Sequence, residues 1–178
     1  MVSLKSTMTQ HEQYMKEALK EAEVALADGE FPAGCVMVAD GQIVCRGHRK
    51  NSGAGKCNEI DHAEIITLRR LLTERPDFDC STITVYSTME PCLMCYPTML
   101  LSGIRTFVWS YEDVMGGGTN LPLSRLNSLY AEMEVTLVHS VLRDQSLYLF
   151  QKFFRTYPYW QKSLLSQYTL TQTLKKIE

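Results

Sequence analysis

Two short segments constrain this chain of 178 residues more than any other feature. The first is His62-Ala-Glu64, and the second, Pro91-Cys92-Leu-Met-Cys95, places its first cysteine 30 positions after the histidine. Cysteines three positions apart share one face of a helix, so their sulfurs can grip one metal ion. A helix N-terminus favours thiolate over thiol, because its free N–H groups and its dipole stabilise negative charge. The fold therefore has to bring two helix starts together.

Each segment is ambiguous when it is taken alone. A C-x-x-C pair also occurs in redox motifs and structural zinc sites, and a histidine near a glutamate is usually a solvated or capping residue. Together they match H-x-E followed by P-C-x-x-C, a signature known from zinc-dependent nucleobase deaminases. Three protein ligands leave the fourth tetrahedral position to water, whose pKa the zinc lowers to about 7. We interpret His62, Cys92 and Cys95 as the ligands of one Zn²⁺ per subunit, and Glu64 as the general base and acid.

The composition is typical of a soluble globular protein, with 45% hydrophobic and 21% charged residues and no apolar run long enough for a membrane helix. We expect a single domain, residues 1–178, with a C-terminal helical extension from about residue 158. Residues 1–10 contain no segment typical of a secretory signal, and six cysteines without one indicate reduced thiols and a cytoplasmic protein. A net charge of -2 removes the simplest argument for a nucleic-acid partner without excluding a local basic patch.

Helical and strand patterns alternate along most of the chain. Apolar periodicity predicts helices that Thr9, Asp61 and Asp144 cap, one that starts near Cys92, and further ones near residues 123–130 and 160–174. Runs of β-prone residues predict five strands at 34–39, 42–45, 82–86, 104–109 and 134–138, the first two joined by a tight Asp-Gly turn. This order predicts a three-layer α/β/α sandwich with a mixed five-stranded sheet. Since residues two apart on a helix point to opposite sides, His62 must lie at or before the first regular turn to share a site with Glu64.

Several further stretches resemble bacterial tRNA adenosine deaminases, which belong to the cytidine deaminase-like superfamily. The stretches cover most of the chain and are His11-Glu12, Phe31-Pro-Ala-Gly34, His62-Ala-Glu-Ile65, Met89-Glu-Pro-Cys92, Arg143-Asp144 and Phe153-Phe154. The resemblance implies a cytidine deaminase-like α/β sandwich, a homodimer and a nucleobase, nucleoside or tRNA substrate. It also implies that the zinc ligands and the catalytic carboxylate are the residues deduced from the signature.

The chain departs from that family at positions near the expected pocket. The family commonly reads the base with an asparagine two places after the glycine that ends strand two, where this chain has Arg49, with Asn51 two places farther on. We take Ala63, Arg49 and Asn51 as the candidate substrate contacts. Tyr96-Pro97-Thr98 also replaces the small residues that the family favours there. Free cytosine, guanine or a nucleoside therefore stays open as the substrate beside adenosine in tRNA.

Simpler interpretations of other cysteines and of the C-terminal aromatic residues also have to be considered. Cys57 precedes His62 by five positions, so Cys57 could complete a closed, non-catalytic zinc site with the three ligands. Cys35, Cys45 and Cys80 lie in or beside apolar runs and are interpreted as core residues. The basic and aromatic residues between 152 and 162 fit either a nucleic-acid surface or a packed core with a solvated rim.

Overall fold

The computed structural model describes residues 8–53 and 58–174, and a mixed sheet of five strands lies at its centre. The strands are β1 (Gly34–Ala39), β2 (Gln42–His48), β3 (Thr84–Met89), β4 (Thr106–Tyr111) and β5 (Thr136–Val138). Their order is β2-β1-β3-β4-β5, and β1 is antiparallel to both of its neighbours, whereas β3, β4 and β5 are parallel. The predicted mixed five-stranded sheet is confirmed.

Helices cover both faces of the sheet. They are α1 (Gln10–Ala27), α2 (Ala63–Glu74), α3 (Cys95–Leu101), α4 (Ser128–Ala131), α5 (Arg143–Thr156) and α6 (Leu164–Thr171). One layer contains α1, α5 and α6, which pack on one another, and the opposite layer contains α2 and α3. The predicted three-layer sandwich is therefore confirmed. No helix within the described ranges 8–53 and 58–174 is long and apolar enough to cross a membrane.

Local signals in the N-terminal part act as predicted. The Thr9 hydroxyl accepts the Glu12 amide at 3.2 Å, and the Glu12 carboxylate accepts the Thr9 amide at 2.7 Å, which completes a capping box at the start of α1. Asp40 and Gly41 both have positive φ, at 50° and 72°, as a tight turn between antiparallel strands requires. These contacts fix the start of α1 and the position of the turn between β1 and β2.

Helix α1 lies unusually close to β1 at Gly34. A Cβ atom at this position would lie 2.1 Å from the Ala18 carbonyl oxygen and 2.5 Å from the Ala22 amide nitrogen. Only glycine permits this approach of two backbones. The contact fixes the N-terminal end of β1, where the preceding residues Phe31 and Ala33 reach the pocket described below.

Several local predictions were wrong. Asp61 does not cap α2, because its carboxylate accepts hydrogen bonds from Asn51 at 2.6 Å and Asn58 at 2.8 Å, and His62 is the N-cap residue. Asp144 lies within the first turn of α5 and does not cap it. The residue before this helix is Leu142, whose backbone has the left-handed conformation. The third helix starts at Cys95 rather than near Cys92. Strand β2 continues three residues past its predicted end, and β3 is shifted towards the site.

Buried polar contacts anchor α6 on the sheet. The Tyr111 hydroxyl and the Thr169 hydroxyl are 3.0 Å apart, and the Gln151 amide donates to the carbonyl oxygens of Thr169 and Gln172 at 3.0 and 2.8 Å. Residues 157–163, which join α5 to α6 and are called the 157–163 segment here, are held at both ends as a result. Cys35, Cys45 and Cys80 are buried, as predicted.

Candidate metal centre and active site

His62 and the two signature cysteines come from the two helix starts that the sequence predicts, with one change. His62 precedes α2 with extended backbone angles, and Cys95 is the first residue of α3. Cys92 lies in the preceding turn, where a β-bridge pairs it with Gly117. Added Cβ atoms at Gly117 and Gly118 would fall within 3 Å of neighbouring backbone or of the Glu90 carboxyl group, so these glycines allow their loop to clamp the turn.

The three candidate ligand atoms are close enough to bind one ion. The His62 Nδ1 lies 3.4 Å from the Sγ of Cys92 and 3.4 Å from the Sγ of Cys95, and all three ligand atoms lie within 4.8 Å of one another. Tetrahedral zinc with Zn–S of about 2.3 Å and Zn–N of about 2.0 Å separates nitrogen from sulfur by about 3.6 Å. The donor set and its spacing therefore fit one zinc ion.

The electrostatics of the cluster favour an ionised ligand. A hydrogen bond from Cys95 and the neighbouring His62 lower the pKa of Cys92 to about 4, despite burial. The same hydrogen bond, with burial, raises the pKa of Cys95 well above its usual value. Burial lowers the pKa of His62, but its hydrogen bond to Cys92 and the charge of Glu64 outweigh burial and raise it. One thiolate is thus ready at neutral pH to accept a metal.

Glu64 lies in the first turn of α2 and is only 4% exposed. The Ser87 hydroxyl on β3 donates to its Oε1 at 3.0 Å, while its Oε2 lies 3.7 Å from the Sγ of Cys95. Burial raises the pKa of Glu64. Because His62 precedes the first helical residue, both side chains face one pocket, and the predicted position of His62 is confirmed.

The pocket brings together most of the residues that the sequence singles out. His62, Ala63, Glu64 and Cys92 line it, and so does Arg49, which is only 3% exposed. Among the predicted substrate contacts, Asn51 is the one whose side chain points elsewhere, since it donates to Asp61 at 2.6 Å. Cys57, the proposed fourth ligand of a closed zinc site, lies outside the described residues.

Other pocket residues were missed by the sequence analysis. Glu59 lies in the loop before α2, and its carboxylate accepts the Nη2 of Arg49 at 2.8 Å. Tyr159 and Trp160 belong to the 157–163 segment and also line the pocket. The composition of that segment is aromatic and basic, but nothing in its spacing indicates contact with residues 100 positions earlier. The carboxyl groups of Glu90 and Asp113 also line the pocket, and burial raises the pKa of Asp113.

Comparison with known proteins identifies the family. Residues 8–111 match the cytidine and deoxycytidylate deaminase zinc-binding region, which includes all three candidate ligands and Glu64. The chain belongs to this deaminase family.

The chain is similar in sequence to named tRNA-specific adenosine deaminases. The chain is similar to the tRNA-specific adenosine deaminase of Bacillus subtilis (strain 168), with 33% identity over 148 residues that cover 83% of this chain and 91% of the relative. It is 39% identical over 110 residues to the tRNA-specific adenosine deaminase subunit tad2 of Schizosaccharomyces pombe, covering 62% of this chain and 28% of that protein.

Solved structures share the fold. A structure from a study of A-to-I editing by tRNA:A34 deaminases aligns with a TM-score of 0.63 and 22% identity, over 77% of this chain and 98% of that one. Guanine deaminase from Nitrosomonas europaea aligns with a TM-score of 0.64 and 18% identity, over 86% and 94% of the two chains. At these identities the alignments establish the cytidine deaminase-like architecture. Family membership and a cluster that fits zinc make the chain a zinc-dependent hydrolytic deaminase of amino-substituted nucleobases.

Proposed function

We propose that this protein converts adenosine to inosine in tRNA by hydrolytic deamination. The observation that carries the proposal is the cluster of His62, Cys92 and Cys95, with the buried carboxylate of Glu64 beside it in one pocket. The choice of substrate is supported by relatives of similar length that are named tRNA-specific adenosine deaminases.

In this proposal each site residue has a separate task. His62, Cys92 and Cys95 hold zinc, which when bound supplies a water that is activated at neutral pH. Glu64 accepts one proton from the attacking water and passes it to the ring nitrogen, and it then accepts a second proton from the new hydroxyl on the ring carbon and passes it to the amine, which leaves as ammonia. Its Oε2 is the better-placed atom for this transfer, because the Ser87 hydroxyl occupies Oε1.

The candidate substrate contacts surround that centre. Ala63 is the first residue of α2, so its amide has no partner within the helix and is free to donate to the substrate. Arg49 supplies a guanidinium to the pocket wall. Asn51 would reach the substrate at the pocket rim only by exchanging its hydrogen bond to Asp61.

A smaller substrate is the second candidate. Tyr159 and Trp160 close part of the pocket wall, and Phe31, Met89 and Leu165 make much of its lining apolar. A partly closed, apolar pocket accepts a flat base more readily than charged phosphate groups, and so favours a free base or nucleoside over a nucleotide chain.

A substrate panel separates the two candidates. Zinc-loaded protein is incubated with tRNA, adenosine, guanine and cytosine, and ammonia release is measured together with inosine in the digested tRNA. We expect inosine in tRNA, whereas deamination of free bases alone would support the smaller substrate. Glu64→Gln should keep its zinc and lose about 10²-fold or more in rate. Glu74→Gln, an exposed change at the other end of the same helix, is the matched control.

We also propose a cytoplasmic homodimer. The cytoplasm holds tRNA and keeps thiols reduced, as the metal ligands require. Two large apolar side chains at the two ends of α3, Leu93 just before it and Leu101 as its last residue, are 58% and 57% exposed and would be covered in a dimer. Sedimentation at micromolar concentration tests this, and a monomer would contradict it.

A further inference from the structure

Two aromatic side chains form one wall of the active-site pocket. The rings of Tyr159 and Trp160 are stacked, with centroids 5.2 Å apart and planes 12° from parallel. Phe31, which precedes β1, packs against both rings with centroid distances of 6.4 and 6.2 Å. The three side chains line the same pocket as Glu64. This set, Phe31, Tyr159 and Trp160, is called the aromatic wall below.

A pair of hydrogen bonds ties this wall to residues about 100 positions earlier in the chain. The Tyr159 hydroxyl donates to Oε1 of Glu59 at 2.6 Å, and the Arg49 Nη2 donates to Oε2 at 2.8 Å. Burial raises the pKa of Glu59, but these two hydrogen bonds outweigh burial and hold it below its usual value. Burial, with the hydrogen bond to Glu59, raises the pKa of Tyr159. At neutral pH Tyr159 is therefore the donor and Glu59 an ionised acceptor.

The backbone of the 157–163 segment is adapted to present this wall. Trp160 has φ of 54°, a left-handed conformation that is unusual for a bulky residue. The segment continues into α6, where Leu165 is buried and also lines the pocket. Trp160 itself is 39% exposed, so its ring is not placed there to fill the core. An exposed, stacked ring at a pocket wall is suited to binding another planar ring.

We propose that Tyr159 and Trp160 determine specificity by stacking on the base to be deaminated, and that Glu59 is the positioning residue that holds them against the pocket. The inference rests on the proposed function only in that an amino-substituted base enters beside Glu64. Stacking strength grows with ring area, so the wall favours purines over pyrimidines. Glu59 does not touch the base and acts through Tyr159 and Arg49.

Tryptophan fluorescence tests the stacking directly. The chain has two tryptophans, and Trp109→Phe leaves Trp160 as the single tryptophan, which is excited selectively at a wavelength that tyrosine does not absorb. In a Trp109→Phe, Glu64→Gln background, adenosine should quench the emission and bind more tightly than cytidine. Calorimetry on the same protein supplies the dissociation constants. Adenosine that saturates in calorimetry without changing Trp160 emission would overturn the stacking, and so would cytidine binding as tightly as adenosine.

Kinetics test the role of Glu59. Tyr159→Phe keeps the ring and removes the hydrogen bond to Glu59. KM for the deaminated substrate should therefore rise about threefold to tenfold, while kcat changes by less than about twofold. Glu59→Gln should raise KM at least as much, because glutamine has one acceptor oxygen, so either Tyr159 or the buried Arg49 then faces an amide NH2 group. Tyr157→Phe is the matched control, since Tyr157 lies in the same segment but packs on Phe153 at 5.2 Å. An unchanged or lower KM in Tyr159→Phe would refute the positioning role.

The two proposals fail in different ways. Adenosine binding with quenching but without turnover of any substrate in the wild type would contradict the proposed function and leave the aromatic wall supported. Deamination of tRNA with silent Trp160 fluorescence would contradict the wall alone. Failure of both adenosine and tRNA to bind in calorimetry would overturn the wall as well, because no base would then occupy the pocket beside it.

Discussion

Among the glycines of the described strands, Gly34 is the one at which substitution by alanine should destabilise the protein most. The new Cβ would lie 2.1 Å from the Ala18 carbonyl oxygen, whereas carbon and oxygen normally approach to about 3.3 Å, so α1 must retreat by about 1.2 Å. Overpacking a core typically costs about 1–3 kcal/mol, and the obstacle here is backbone that cannot rotate away. We therefore expect a loss of about 3 kcal/mol, which lowers the Tm of a chain of this size by about 6–12 °C.

Thermal and urea unfolding of zinc-saturated protein, followed by circular dichroism, measure this loss. Gly53→Ala is the control, because its added Cβ would meet its nearest neighbour at an ordinary 3.5 Å, and we expect a change within about 0.5 kcal/mol. A Gly34→Ala protein that melts within about 2 °C of the wild type would refute the steric argument. Activity should fall before unfolding, since Phe31 and Ala33 line the pocket just ahead of Gly34.

Three further predictions concern the metal centre and the surface charges. Cys95→Ser should lose zinc and activity together, while Cys80→Ser should retain zinc. Elemental analysis measures the zinc content of both variants, and full zinc occupancy in Cys95→Ser would contradict the ligand assignment. Chelation should lower the Tm by about 5–10 °C, because an ion at a hundredfold excess over its Kd contributes about 2.7 kcal/mol to the folded state, and an unchanged melt would argue against a metal centre. Burial raises the pKa of Glu112, but hydrogen bonds from Arg143 and Tyr168 outweigh burial and hold this pKa below its usual value. The ionised Glu112 therefore stabilises the folded protein above about pH 4.3, and this stabilisation is lost as the pH falls further. Glu112→Gln should flatten the dependence of urea stability on pH in that acidic range, and an identical slope would refute the role.

The sequence predicts the features of this fold that depend on local geometry. The capping box of Thr9 and Glu12 and the turn at Asp40 and Gly41 each act within four residues, so their residue types alone determine the backbone. The layer order follows from alternating helical and strand periods. The metal ligands are also predictable, because the chemistry of zinc limits the residue types that can hold it.

Features that depend on contacts between distant segments could not be predicted in this way. Asp61 has the residue type of a helix cap, but Asn51 and Asn58 compete for its carboxylate, and only the folded loop brings them there. The hydrogen bond between Glu59 and Tyr159 spans 100 positions. Neither residue carries a spacing pattern that would reveal the contact. The sequence therefore predicts the catalytic chemistry better than the shape of the pocket that selects the substrate.

The antiparallel direction of β1 has a practical consequence for attaching labels to this molecule. Because β1 opposes β3, the N-terminal end of β1 lies beside the C-terminal end of β3, and both ends deliver residues to the pocket. The Asp40–Gly41 turn follows β1 at its other end, and both turn residues are exposed. A fluorophore or affinity peptide inserted at this turn would lie a strand length away from the active-site pocket. The labelled protein can therefore be attached to a surface and assayed with intact RNA without altering the reaction.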